Sequence, residues 1–186
     1  MIPPALRAAM HAHARAVFPD ECCGYLRGSA RGTAVDELVA CHNAQRDGGH
    51  PTEPDRDAGI AFVITGRELF DFARTFAGDR PARILYHSHA NGRAYFSAVD
   101  RDVALGGGYD PAHPSGPAYP VEHVVIGVRA VPRVAPAPAP EPEPEPDADA
   151  DADADADAVA EVTETAQFAW SATARDFLEV ARWSGP

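Results

Sequence analysis

Residues 86–100 read YHSHANGRAYFSAVD, and they place two imidazoles, a hydroxyl and a carboxylate within a predicted strand, turn and helix. His87 and His89 end an apolar run of period two, so a strand carries both on the same side. Ser97 and Asp100 have the spacing of a helix N-cap and its N3 residue. Imidazole and carboxylate are the ligands that Zn2+ prefers when it keeps one position open for water. The stretch therefore predicts a metal site.

The N-terminal part of the chain predicts a helix and then a β-hairpin. Apolar residues recur at helical spacing from Pro4 until just before Pro19. His11 and His13 lie on this helix, and because residues two apart on a helix point in different directions, we interpret them as structural or exposed. The strands of the hairpin are expected at 22–27 and 33–40.

Glu21 stands where a loop leads into the first strand of that hairpin. Taken alone, it is best interpreted as a solvated loop acid that follows Asp20. Taken together with His87, His89 and Asp100, it is one more carboxylate that the folded chain is expected to hold beside this stretch.

The remaining pattern alternates strands with helices, which predicts an α/β fold with a mixed β-sheet flanked by helices. A single domain is expected over residues 1–186, because this length suits one core of ordinary size. The other predicted elements are a strand at 60–64, a helix at 65–78 with a capping box of Thr65 and Glu68, a strand at 82–89, a helix at 97–105, a strand at 121–129, a strand at 162–170 and a helix at 174–183.

A low-complexity segment at about 132–160 interrupts the predicted domain. Its sequence alternates Ala-Pro, Glu-Pro and Asp-Ala, which offers nothing to bury and repels itself. We expect an extended Pro-rich half and a disordered acidic half, inserted at the tip of a hairpin. The entropy of loop closure grows slowly with length, so the domain tolerates such an insertion.

The composition argues against nucleic acid as a partner. The formal net charge is −12, but nine acidic residues lie within 141–157, and the rest of the chain has a net charge of only −3 once they are subtracted. No cluster of Lys and Arg is available to bind a phosphate backbone. No apolar run approaches a membrane span, and the N-terminus does not read as a secretory signal, so we expect a soluble cytoplasmic protein.

The three cysteines do not predict a disulfide framework. Cys22, Cys23 and Cys41 are an odd number, and the adjacent pair is poorly placed to bridge to itself. We expect reduced thiols, and Cys23 as a catalytic nucleophile is rejected because nothing in the pattern pairs it with a base.

The spacing of the candidate residues resembles a known family motif. Glu21, then His87-Ser88-His89, seven residues, Ser97, two residues and Asp100 resemble the JAMM motif of the MPN-type (Mov34/PAD-like) zinc metallopeptidases. The sequence around the motif, including PDECCG at 19–24, is similar to the bacterial branch of that family. One departure is Ala90, where many members carry Pro. The resemblance implies the MPN, or cytidine-deaminase-like, architecture.

The resemblance also implies an activity and a role for each residue. His87, His89 and Asp100 would bind one Zn2+ per chain, Glu21 would act as general base and acid, and Ser97 would donate to the oxyanion. The implied enzyme is a metallopeptidase or isopeptidase that hydrolyses an amide bond at the C-terminus of a small ubiquitin-like or sulfur-carrier protein.

Two alternatives from other classes stay open. Some MPN-type relatives are non-catalytic protein-interaction modules, although these usually lose the ligands that this chain retains. A zinc deaminase also combines His, Glu and zinc, but it needs a Pro-Cys-x-x-Cys run that the sequence lacks. The sequence does not indicate the oligomeric state or which carrier protein is cut.

Overall fold

The structure, a computed structural model, describes residues 1–48, 56–107, 116–133 and 158–184. No helix among these residues is both long enough and apolar enough to span a membrane. The helices are α1 (Pro4–Val17), α2 (Gly66–Thr75) and α3 (Ala98–Ala104), and the strands are β1 (Cys23–Arg27), β2 (Glu37–Cys41), β3 (Ala82–His89), β4 (Glu122–Pro132), β5 (Ala158–Ser171) and β6 (Asp176–Ser184).

The six strands form one mixed sheet in the order β2-β1-β3-β4-β5-β6. Only β3 and β4 run parallel, and α3 lies in the crossover between them, as a parallel connection requires. The α/β fold with a mixed sheet and flanking helices is therefore confirmed. β3, which ends in the His pair, lies inside the sheet.

Helices α1 and α2 cover opposite faces of the sheet, and the alternation of side chains along β3 decides on which face the His pair lies. Tyr86 packs in the cluster that contains Met10 of α1, whereas Leu85 packs against the cluster that contains Phe72 of α2. Successive side chains of a strand point to opposite faces. His87 and His89 lie two and four residues after Leu85 on this strand, so their side chains point to the same face as that of Leu85, which is the face that α2 covers.

The predicted C-terminal helix at 174–183 is wrong, because this segment is strand β6. It pairs antiparallel with β5 and supplies hydrogen-bond partners that a helix would leave unpaired on that strand. Phe177 is 3% exposed and packs beside Phe96 and Phe168. Tertiary pairing outweighs the local helical spacing of the apolar residues.

The predicted strand at 60–64 is also wrong, because the backbone of this segment forms hydrogen bonds with the side chain of Asn43 and the amide of Ala44 and not with another strand. The Asn43 side chain donates to Ala61 O and accepts from Val63 N, and Ala44 N donates to Val63 O. These bonds satisfy the backbone groups that a sheet would otherwise pair.

Two predicted boundaries and one predicted helix cap differ from the structure. The second hairpin strand begins at Glu37 instead of residue 33, and α2 ends at Thr75 instead of Gly78. Thr65 is the N-cap of α2, but the predicted capping box is absent because Glu68 accepts from His42 N.

β4 and β5 pair antiparallel as far as Pro132 and Ala158, so the low-complexity segment joins two adjacent strands. Residues 134–157 lie outside the described residues, and the single domain over 1–186 with a disordered insertion stays a prediction.

The structural interpretation of His11 and His13 is confirmed. His11 Nε2 lies 3.0 Å from Thr165 Oγ1, and His13 Nδ1 lies 2.9 Å from the Tyr86 hydroxyl, so both residues tie α1 to the sheet.

The expectation of free thiols is also confirmed, because Cys22, Cys23 and Cys41 are free and buried. Burial raises the pKa of the Cys22 and Cys41 thiols to about 12 and that of Cys23 above its ordinary value. A thiol that stays protonated is a poor nucleophile.

The burial of His123 should make the stability of the fold sensitive to acid. It is 7% exposed, between the rings of Phe96 and Phe177, and burial, aided by the charge of His87, lowers its pKa to about 3. Below about pH 6.5 the imidazole of His123 binds a proton in the unfolded chain but not in the folded chain. The free energy of unfolding therefore decreases as the pH is lowered. This residue should account for a loss of about 2 kcal/mol between pH 7 and pH 5.

Urea unfolding at both pH values in the presence of a chelator measures this loss, with His123→Leu as the comparison. The variant should lose about 2 kcal/mol less than the parent over the interval. Equal pH dependence of the two proteins would show that His123 is not buried as a neutral group.

Candidate metal centre

His87 and His89 present their Nε2 atoms to one point at the carboxyl end of β3. The two side chains are nearly buried, and the Nε2 atoms lie 3.2 Å apart. Strand alternation places the residues on one face, as the sequence predicts. Ser88 points the other way and accepts a hydrogen bond of 2.8 Å from Cys22 N, which fixes β3 beside the residue that follows Glu21.

Asp100 reaches the same point from the first turn of α3. Its Oδ1 lies 3.4 Å from His87 Nε2, and its Oδ2 lies 3.6 Å from His89 Nε2. The predicted cap is present in full: Ser97 N donates to Asp100 Oδ2 at 2.8 Å, and Asp100 N donates to Ser97 Oγ at 3.1 Å. The capping box therefore orients the carboxylate towards the imidazoles.

These three residues fit a divalent cation. Their donor atoms lie within 4.8 Å of one another, and among the described residues they are the group of three that could hold a metal ion. His89 Nδ1 lies 3.2 Å from Arg93 O, so Nδ1 carries the hydrogen and the lone pair of Nε2 faces the site. Two imidazoles and a carboxylate with a fourth position free are the donor set of catalytic zinc sites.

The electrostatics of Asp100 favour the same conclusion. Burial alone would raise the pKa of this carboxyl, but the charge of His87 and the hydrogen bonds with His87, His89 and Ser97 lower it below its ordinary value. Asp100 is therefore ionised, and it offers a cation a full negative charge in a largely buried position.

Glu21 is buried beside this group and is not a solvated loop acid. The residue is 6% exposed, and its backbone is held by Ala58 O and by the Asn43 side chain. Burial raises the pKa of its carboxyl to about 8; the charge of His87 opposes the shift and that of Asp100 adds to it. A cation at the site would lower this pKa again towards neutrality, which is the range that suits proton transfer.

Ser97 lies at the rim of the site and is partly exposed. In the capping box its oxygen accepts a hydrogen bond, so the hydroxyl hydrogen remains available to another acceptor. The structure thus gathers all five predicted site residues into one region.

Residues 3–136 match a protein family described as prokaryotic homologs of the JAB domain. The chain belongs to this family. The resemblance drawn from the five motif residues is thereby confirmed at the level of the family.

Two curated relatives, from Mycobacterium tuberculosis and Mycobacterium bovis, are each called CysO-cysteine peptidase. Each is 33% identical over 96 residues, which is 52% of this chain and 59% of the relative. A solution structure of a protein from Desulfitobacterium hafniense aligns with a TM-score of 0.47 and 18% identity, covering 96% of this chain and 87% of that one. The family assignment rests on the sequence match.

The sequence reasoning missed two residues that shape the site of this JAB-family chain. The ring of Phe62 stacks on His87, with centroids 4.7 Å apart and planes at 24°, while His87 Nδ1 is buried without a hydrogen-bond partner among the described residues. Asn43 is 3% exposed and makes four hydrogen bonds through its side chain, which join Glu21 O to the backbone of 45 and 61–63. The available signal for Asn43 was an amide two residues after the end of a strand, where Asn often bonds a loop backbone.

Replacement of Asn43 by Ala should destabilise the protein by at least about 2 kcal/mol, because it leaves several buried backbone groups without a partner. Urea unfolding of the two proteins measures the change. A loss of less than about 0.5 kcal/mol would mean that water replaces the amide without penalty.

Proposed function

We propose that this JAB-family chain is a zinc-dependent peptidase that hydrolyses an amide bond at the C-terminus of a small ubiquitin-like or sulfur-carrier protein. The observation that carries the proposal is the convergence of His87, His89 and Asp100 within 4.8 Å, with Glu21 buried beside them. Family membership and the name of the mycobacterial relatives, CysO-cysteine peptidase, support the reaction class.

His87 and His89 would hold the ion through Nε2, and Asp100 would hold it through its carboxylate. When bound, Zn2+ supplies Lewis acidity that polarises the scissile carbonyl and makes water acidic enough to attack near neutral pH. The hydrogen bond from His89 Nδ1 to Arg93 O and the capping box on Asp100 keep these two ligands in orientation.

Glu21 would take a proton from the attacking water and pass it to the amine that leaves. Its burial and raised pKa suit this double role, because a carboxyl that titrates near neutrality accepts and releases a proton with similar ease. No covalent intermediate with the protein is required, so the three buried thiols take no part.

Ser97 would donate its hydroxyl hydrogen to the oxygen that gains negative charge in the transition state. A donor of this kind typically contributes about 3 kcal/mol. Ser97 thus has a second role besides capping α3, since the cap uses its oxygen only as an acceptor.

The test is incubation of the zinc-loaded protein with small carrier proteins that bear one to several extra C-terminal residues, followed by intact-mass analysis. Release of the extension, and its loss on addition of a chelator, is the expected result. The alternative of a non-catalytic interaction module predicts binding of such a protein without any change of its mass.

A further inference from the structure

The two C-terminal strands reach the loop that joins the His pair to α3. Glu164 of β5 accepts a hydrogen bond of 2.8 Å from Ala94 N, and Arg182 of β6 donates one of 2.9 Å to Ala94 O. Arg182 also donates to the other oxygen of Glu164 at 2.6 Å. Ala94 is 1% exposed, so the two side chains satisfy backbone groups that water does not reach.

One peptide group connects this contact to the metal centre. The amide N–H of Ala94 and the carbonyl of Arg93 belong to the same planar unit. Glu164 holds the N–H of that plane, and His89 Nδ1 donates to its C=O at 3.2 Å. Fixing one end of the plane fixes the direction of the other, and with it the orientation of the His89 ring.

The loop is also fixed just before this peptide. Gly92 N donates to Val128 O at 2.8 Å, and Thr163 Oγ1 donates to Gly92 O. Gly127 lies so close that a Cβ there would stand 2.6 Å from the Gly92 backbone. With Gly92 anchored, the bond from Ala94 N to Glu164 opposes rotation of the 93–94 peptide.

We propose that Glu164, braced by Arg182, is a positioning residue that orients His89 for metal binding by holding the 93–94 peptide. The inference rests on the proposed function for the identity of the site. Both residues lie on the β5–β6 hairpin, beyond the family match, which ends at residue 136.

The experiment compares Glu164→Ala, Glu164→Gln and Glu161→Ala in the full chain. Glu161 lies on the same strand and pairs with Arg129 at 3.3 Å, so its removal breaks an exposed ion pair of β5 and leaves the bonds of Glu164 and Arg182 to Ala94 in place. Zinc affinity is measured by competition with a chelator, and hydrogen exchange of the Ala94 amide is measured by NMR without metal.

In Glu164→Ala we expect zinc affinity to fall by about 10–100-fold, the usual effect of losing a partner that orients a ligand. The Ala94 amide should exchange at least about tenfold faster, since it loses its acceptor. Glu164→Gln keeps an oxygen for Ala94 N and should restore most of both properties, and Glu161→Ala should match the parent.

Equal zinc affinity and equal exchange in Glu164→Ala and the parent would overturn the inference. Equal losses in Glu164→Ala and Glu161→Ala would also overturn it, because they would point to general weakening of β5. If the parent protein binds no zinc, the proposed function is overturned, and so is the predicted effect of Glu164 on zinc affinity. The exchange rate of the Ala94 amide then still decides whether Glu164 holds the peptide.

Discussion

Glu21→Gln is expected to lower the rate of cleavage by about 10²–10⁴-fold, the usual contribution of a general base, while zinc binding stays within about twofold of the parent. The amide keeps the volume of the buried side chain but cannot accept the proton of the attacking water. The proposed ligands His87, His89 and Asp100 are unchanged, so the loss should appear in kcat and not in metal content.

Intact-mass kinetics and metal analysis of the purified variant separate these quantities. The matched control is Glu37→Gln, which makes the same chemical change at a partly exposed carboxylate paired with Arg27 at the edge of the sheet. The control should cleave at the parent's rate. If Glu21→Gln also does so, Glu21 is not the base and the proposed mechanism fails.

Asp100→Asn is expected to weaken zinc binding by about 60- to 700-fold. If about 10–16 kcal/mol of zinc binding is shared among four ligands, each accounts for roughly 2.5–4 kcal/mol, and tenfold corresponds to about 1.4 kcal/mol. The amide oxygen can still accept from Ser97 N, so α3 keeps its cap and the fold survives. The loss therefore reports on the ligand and not on the helix.

Chelator competition gives the affinity, and circular dichroism checks that the fold is unchanged. Asp71→Asn on α2 is the matched control, since Asp71 forms an exposed ion pair with Arg67. An affinity equal to that of the parent would exclude Asp100 as a ligand, and His87 and His89 would then have to bind the ion with another partner.

The local part of the site was predictable because it depends on short-range geometry. Alternation along β3 puts His87 and His89 on one side, and the Ser97–Asp100 spacing makes a capping box, whatever the rest of the chain does. Both features were confirmed. The family could be recognised from the same residues for the same reason, since a motif of fixed spacing is read directly from the chain.

The predictions that were wrong concern segments whose backbone pairs with a partner outside the segment itself. Local spacing favoured a helix at 174–183, but the free edge of β5, the preceding strand, made strand β6 the better arrangement. Residues 60–64 have the composition of a strand, yet the amide of Asn43, which lies 18 residues before Ala61 and 20 before Val63, takes their hydrogen bonds. The spacing of apolar residues within either segment carries no information about such a partner.

The sequence by itself determined the donor atoms, their spacing and the family, because strand alternation and helix capping act over a few residues. Only the tertiary structure decided that Glu21 is buried, that its pKa rises to about 8, and that Glu164 holds the peptide on which His89 depends. Desolvation and long-range hydrogen bonds arise when segments far apart in the chain exclude water together, and that happens only in the folded sheet.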